Sequence, residues 1–242
     1  MIGTLARLAA IGTAGAAYLI GVRPQLQQWG ATAAEAMEPL PGDTLIAGPR
    51  FATTRAIMIA APPSAVWPWL AQMGEGRGGL YTYESLERTV GLGMRSTDHV
   101  IPQLQELASG DTIRLAPVGG PDGLVMTVDR LETPGLLVLR TGRPATDGAG
   151  EDAPEALRAG DYFAGGQAAS WALVLRDLDG ATRLLSRWRM TWAPSAAADL
   201  FNGALVEPLH FALEEKMLRG IRDRVERVNA RPVEPLEASD LP

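Results

Sequence analysis

The chain has 242 residues, a formal net charge of −6 and no cysteine. It contains no basic run, so nucleic acid, whose phosphates require clustered Lys and Arg, is not an expected partner. The lack of cysteine excludes disulfides, thiol nucleophiles and Cys-ligated metal sites. An apolar fraction of 46% and a charged fraction of 21% are ordinary for a globular protein, so one domain with its own core is expected.

An uncharged apolar stretch lies near the amino terminus. Residues 8–22 read LAAIGTAGAAYLIGV between Arg7 and Arg23. As a helix they would extend about 22 Å, less than a hydrocarbon core of about 30 Å. We interpret residues 1–24 as a membrane anchor, a single N-terminal span of unknown topology. Export after cleavage of a signal segment is the alternative, and a helix of a soluble protein is the third possibility.

The remaining chain divides into a connector, a domain and a tail. Residues 25–50 are rich in Pro, Gly and Ala, which is typical of a connector lying on a surface. A short helix is expected there at residues 32–37. The domain is predicted at residues 51–230, and residues 231–242 are predicted to be a flexible tail.

A strand and two short helices are predicted to open the domain. Residues 53–60 alternate between two faces, one of which carries Arg55 and Ile57. Ser64 is predicted to cap the helix that follows. A glycine-rich turn separates this helix from a second one predicted at residues 81–90.

Five more strands are expected in the second half of the domain. Between the third and the fourth, residues 142–160 contain almost nothing to bury, which indicates a surface excursion. Asp179-Gly180 predicts a hairpin turn. The five strands are predicted at residues 112–115, 123–131, 136–140, 170–176 and 182–192.

The last strand alternates strictly. Trp188 and Met190 share one face, whereas Arg187 and Arg189 share the other, where we expect them to be solvated.

A long amphipathic helix is predicted at residues 197–228, with a bend near Pro208. Apolar residues recur in it every four positions and should fill the interior of the sheet. They are Leu205, Leu209, Leu213, Met217, Ile221 and Val225.

Two segments of the chain resemble a known superfamily. APPSAVWPWLAQMGEGRGGLYTYESLE near the start of the domain and EPLHFALEEKMLRGIRDRVE at its end are similar to SRPBCC, or START-like, proteins of the polyketide cyclase/dehydrase-like kind. WGATAAEAMEPLPGD resembles the leader of the membrane-attached members. The resemblance implies an α+β helix-grip fold, in which a curved antiparallel sheet wraps around a long C-terminal helix behind an N-terminal hydrophobic helix. It also implies a cavity for an apolar or aromatic molecule.

Several residues are candidates to line that cavity or to border its mouth. Aromatic side chains on the late strands supply apolar contact area, and polar groups at one end would orient a ligand. For each of them packing or solvation is the competing explanation, and His210 is interpreted as a packing residue. The candidates are Tyr81, Tyr83, Glu84, His99, Trp171, Trp188 and Met190.

The leading hypothesis is a non-enzymatic protein that binds an apolar small molecule and is held at a membrane through residues 1–24. An enzyme of the cyclase or aromatase kind, with His99 or Glu84 as general acid/base, is the first alternative. An interaction module that uses residues 142–160 is the second. No metal site is predicted. No cofactor is predicted either, because the glycine pattern at residues 74–79 lacks the preceding buried strand that a dinucleotide site requires.

Overall fold

The computed structural model describes residues 18–82, 95–116, 124–141 and 167–230. The predictions for residues 1–17, 142–160 and 231–242, and for most of the second helix, lie outside them. In chain order the described elements are a π-helical turn at Tyr18–Val22, helices α1 (Arg23–Gln27) and α2 (Ala33–Met37), a 3-10 turn at Asp43–Ile46, strand β1 (Phe51–Ile59), helix α3 (Pro63–Ala71), a 3-10 turn at Pro102–Leu104, strands β2 (Thr112–Ala116), β3 (Leu124–Glu132), β4 (Leu136–Arg140), β5 (Gln167–Leu178) and β6 (Ala181–Trp192), helix α4 (Ala196–Phe201), a π-helical turn at Asn202–Val206 and helix α5 (Glu207–Asn229).

The six strands form one antiparallel sheet in the order β1-β6-β5-β4-β3-β2. The hairpin between β5 and β6 turns at Asp179 and Gly180, with φ angles of 52° and 85°. Positive φ at both central residues is the geometry of a type I′ turn, which confirms the predicted hairpin. Bulges interrupt β2 after Arg114 and β3 after Val128, and bulges bend the strands that contain them.

Helices α3 and α5 cover the inner face of this sheet. Met217, Ile221 and Val225 of α5 are buried together with Val66 and Leu70 of α3 in the main core. A curved antiparallel sheet closed around a long C-terminal helix is the helix-grip arrangement. The predicted α+β fold class is therefore confirmed.

The predicted apolar stripe of the long helix is right at one end and wrong at the other. Residues at strict four-residue spacing rotate by about 40° per step around a helix of 3.6 residues per turn. Four steps separate Leu205 from Ile221, so the two side chains lie on nearly opposite sides. Accordingly Ile221 is fully buried, Leu205 is 53% exposed, and Leu209 and Leu213 are half-buried.

Arg187 corrects another prediction, because it is buried on the outer face of the sheet rather than solvated. The last carbonyl groups of a short helix have no partner within the helix. The Arg187 guanidinium donates to three such oxygens at the end of α2, those of Glu35, Ala36 and Glu38, at 2.7–3.0 Å. It also pairs with Asp43 at 2.8 Å. One arginine thus holds the connector against the sheet.

Helix starts were predicted with mixed success. Thr32 caps α2 with a complete capping box, as the short helix predicted at residues 32–37 requires. Ser64 does not cap α3: the cap lies two residues earlier, at Pro62, and the helix begins at Pro63, whose fixed φ suits the first helical position. Tyr81 has a φ of 59° and so does not begin a helix.

Gly220 determines how closely α5 approaches the turn at Tyr81. A Cβ atom at position 220 would clash with the Tyr81 carbonyl oxygen, which is backbone and cannot rotate away. Gly220→Ala should therefore lower the free energy of unfolding by about 1–3 kcal/mol, as overpacking does. Urea denaturation followed by circular dichroism measures the change.

Gly203, in the same helical run, provides the matched control. A Cβ atom there would meet nothing within 4 Å. Gly203→Ala should be neutral or stabilise by up to about 1 kcal/mol. Equal losses of stability in both variants would show that the approach at Tyr81 is not what requires Gly220.

Candidate functional site

A cavity of about 130 Å³ lies between the inner face of the sheet and helix α5. Its polar lining residues are Thr82, His210 and Glu214. The apolar part of its wall includes Leu115, Leu124, Trp171, Trp188, Leu213 and Met217.

The two tryptophans of the wall are directly opposite each other in the sheet. Trp171 of β5 pairs with Trp188 of β6 in the strand register, and their rings meet edge to face at 5.8 Å between centroids. Strand alternation sends both side chains to the inner face. Together they make one wall of the cavity aromatic.

A buried ion pair lies behind the cavity. The Arg55 guanidinium of β1 donates to Glu214 of α5, and the two side chains are 1% and 4% exposed. Glu214 also accepts a hydrogen bond from the Ser186 hydroxyl, which accepts one from the Trp171 indole at 2.8 Å. Arg55 Nε donates to the Leu26 carbonyl oxygen at 2.9 Å. Every charge in this cluster has hydrogen-bonded partners, as burial in an apolar interior requires.

His210 connects the ion pair to the cavity. Its Nδ1 lies 3.0 Å from Arg55 Nη1, and because a guanidinium can only donate, Nδ1 accepts and a neutral ring carries its proton on Nε2. Burial lowers the His210 pKa to about 4, with the Arg55 charge acting in the same direction and Glu214 opposing it. His210 is thus a neutral residue of the cavity lining.

Trp188 contributes an unused donor. Its indole nitrogen is buried and has no hydrogen-bond partner among the described residues. The Trp188 ring lies 5.0 Å from that of His210, between centroids. A buried donor without a partner costs about 1–3 kcal/mol, so a bound acceptor at this point would be stabilised. The wall therefore combines apolar surface with two neighbouring rings that each carry an N–H group.

The predicted site residues are brought together only in part. Trp171 and Trp188 line the cavity, whereas Met190 is buried in the core beside it and is not among the lining residues. Tyr81 lies between two lining residues of the chain, but its own hydroxyl donates to the Trp69 carbonyl oxygen and accepts from Gln72. Burial raises the Tyr81 pKa to about 12. Tyr81 thus supports the wall from behind.

Of the residues predicted to lie at the polar end of the cavity beyond Tyr81, only His99 is among the described residues. His99 is exposed, hydrogen-bonds through Nδ1 to Thr97 at 3.1 Å, and is not among the lining residues. Tyr83 and Glu84 lie outside the described residues. Within residues 18–82, 95–116, 124–141 and 167–230, no group of three or more His, Asp or Glu could hold a metal ion.

Sequence reasoning missed the buried cluster, although two signals for it were present. Arg55 lies on the same face of its strand as Ile57 and Ile59, which is the apolar face. Glu214 lies four residues after His210 and three before Met217, on the buried side of its helix. A lone arginine on an apolar strand face and a glutamate beside an apolar stripe indicate a buried pair.

No family model matches this chain, and no curated protein matches it. Solved structures do. A conserved Geobacillus kaustophilus protein is 13% identical, covers 73% of this chain and 96% of its own, and has a TM-score of 0.41. CalU16 of Micromonospora echinospora is 15% identical, covers 74% of this chain and 86% of its own, and has a TM-score of 0.32. DynU16, a protein in the dynemicin biosynthetic locus, is 14% identical, covers 71% of this chain and 47% of its own, and has a TM-score of 0.36.

These likenesses are too distant to transfer a function. The helix-grip class rests instead on the sheet order and on helix α5. The comparisons do not distinguish a membrane-attached subgroup.

The depressed His210 pKa predicts a specific pH dependence. Between its ordinary value near 6.5 and about 4, the unfolded chain binds a proton at this residue that the folded chain does not. The free energy of unfolding should therefore fall with decreasing pH across this interval, by up to about 1.4 kcal/mol per pH unit from His210 alone. Urea denaturation near pH 7 and near pH 5 measures the fall.

His210→Gln is the comparison variant, because its amide oxygen can accept from Arg55 without titrating in this range. The protein and the variant share every other titrating group. The variant should lose less stability between the two pH values. Identical losses would mean that His210 titrates normally in the folded chain.

Proposed function

We propose that this domain binds a compact apolar molecule that carries one hydrogen-bond acceptor, such as a ketone, quinone or ester carbonyl. The observation that carries the proposal is the buried indole N–H of Trp188, a residue of the cavity lining, which has no hydrogen-bond partner among the described residues. A carbonyl oxygen bound there would accept from Trp188, and from His210 Nε2 beside it. Buried polar groups are nearly always paired, so an unpaired one at a cavity favours a ligand.

The size of the cavity restricts the ligand. Small-molecule pockets commonly measure about 300–1,000 Å³, and a dry cavity of about 150 Å³ holds benzene. At about 130 Å³, this cavity suits a single ring better than a long acyl chain. It is smaller than a lipid carrier would need, because the indoles of Trp171 and Trp188 occupy the interior. The apolar ligand expected from the sequence is thereby narrowed to a compact one.

A matched pair of probes tests the required acceptor. Acetophenone and isopropylbenzene have similar shapes, but only acetophenone has a carbonyl group. Acetophenone should bind more tightly, and Trp188→Phe should reduce this preference by about 1 kcal/mol, roughly five-fold, since it removes the donor and keeps an aromatic ring. Isothermal titration calorimetry measures both affinities.

Trp67→Phe serves as the control, because Trp67 is a buried core residue outside the cavity lining. It should leave the preference for acetophenone unchanged. The proposal is wrong if folded, ligand-stripped protein binds neither probe. It is also wrong if Trp188→Phe retains the full preference.

An enzyme that uses the same cavity is the second candidate, and the geometry of His210 favours it. A neutral imidazole that donates from Nε2 polarises a carbonyl group and so acidifies the adjacent C–H bonds, whose proton would be taken by a hydroxide ion of the solvent. Catalysis would then depend on His210, whereas the sequence suggested His99 or Glu84, of which Glu84 lies outside the described residues.

Hydrogen exchange tests the enzyme candidate. The methyl hydrogens of acetophenone should exchange in heavy water faster with the protein than without it, and NMR follows the exchange. His210→Leu, which removes the donor, should abolish the acceleration while still binding acetophenone. If the protein does not accelerate this exchange at any concentration, the enzyme candidate is wrong and the binding function alone remains.

We also propose that residues 1–24 attach the domain to a membrane. The uncharged run at residues 8–22 supports this, and most of it lies outside the described residues. Within the described ranges, no helix has both the length and the apolar character of a membrane span. The interaction-module alternative relies on residues 142–160, which lie outside those ranges as well.

A further inference from the structure

We infer that the outer surface of helix α4 and the following π-helical turn rests on the surface of a lipid bilayer, together with the start of the described chain. This inference rests on the proposed membrane attachment and adds to it a contact made by the folded domain. Five large apolar side chains form the contact, here called the apolar patch. They are Ile20 (80% exposed), Val22 (47%), Leu200 (72%), Phe201 (54%) and Leu205 (53%).

The helical run at residues 196–206 is apolar on both sides. Its inner side packs against the core through Ala198 and Val206. Its outer side presents Leu200, Phe201 and Leu205. A surface helix in water has one apolar stripe and a polar opposite face, so a helix with two apolar sides requires a second apolar surface to contact.

Charge is distributed very unevenly along the C-terminal helical region. Residues 192–206 contain a single charged residue, Asp199, whose carboxylate already pairs with Arg50 and accepts from the Trp192 indole. In contrast, ten of the 23 residues of Glu207–Asn229 are charged. The outer side of the first part is therefore suited to an apolar medium and that of the second part to water.

The end of the apolar N-terminal run lies beside helix α4. A groove of about 750 Å³ is lined by Tyr18 and Arg23 on one side and by Leu200, Gly203 and Ala204 on the other. An ion pair of 2.6 Å between Arg23 and Glu207 ties the two sides together.

This continuity is why the partner is a bilayer. The chain that enters the groove at Tyr18 comes from the uncharged residues 8–17. A segment bound to lipid up to this point would bring the apolar patch to the membrane surface. Contact by an amphipathic surface in the plane of the interface needs no spanning helix, and its strength grows with the apolar area buried.

The experiment uses the absence of cysteine, which allows a single thiol label on the full chain. Leu205→Cys is labelled with an environment-sensitive fluorophore. Val228→Cys is the matched control, since Val228 lies near the far end of the same helical region and is 48% exposed, against 53% for Leu205. Both proteins are mixed with vesicles of phosphatidylcholine and phosphatidylglycerol, with and without spin-labelled lipid, and are separated by flotation.

We expect both labelled proteins to float with the vesicles. Only the label at Leu205→Cys should shift to shorter emission wavelengths and be quenched several-fold by spin-labelled lipid. Flotation with both labels unchanged would refute the patch contact and leave the attachment standing. Failure to float would refute both. A shift that appears without lipid and depends on protein concentration would assign the patch to a second copy of the chain.

Discussion

The ion pair between Arg55 and Glu214 is the interaction that fixes the geometry of the grip. It joins the first strand to the last helix, and removing one partner of such a buried pair typically costs about 3–5 kcal/mol. Through Ser186 it also holds β6, and through the Leu26 carbonyl oxygen it holds α1. Since Glu214 has these partners in one geometry only, α5 is fixed in rotation above the cavity.

The chemistry of the cavity follows from that fixed rotation. Arg55 occupies Nδ1 of His210, so the imidazole stays neutral and keeps its proton on the other nitrogen. The indole of Trp171 is already paired with Ser186, whereas the indole of Trp188 is not. Of the two tryptophans, one therefore has a hydrogen-bond partner in the protein interior, and the other is the donor on which the proposed carbonyl ligand depends.

The sequence predicted regular elements better than it predicted the positions of polar side chains. Strand alternation placed Trp171 and Trp188 in one wall, because a period of two is the same for every strand. A four-residue repeat only approximates the period of a helix, so Leu205 does not lie on the buried face to which it was assigned. The burial of Arg187 depends on residues distant in sequence, and no local pattern reveals such partners. His210 was assigned to packing for the same reason.

The arginine that crosses from β6 to the connector has a mechanical consequence. As a flexible coil, residues 25–50 would span about 28 Å on average and would let the domain swing freely. Arg187 instead fastens that segment at four points, and Arg183 fastens it again through Glu35. The connector thus acts as a rigid neck. Whatever precedes it in the chain sets the orientation of the domain as well as its location.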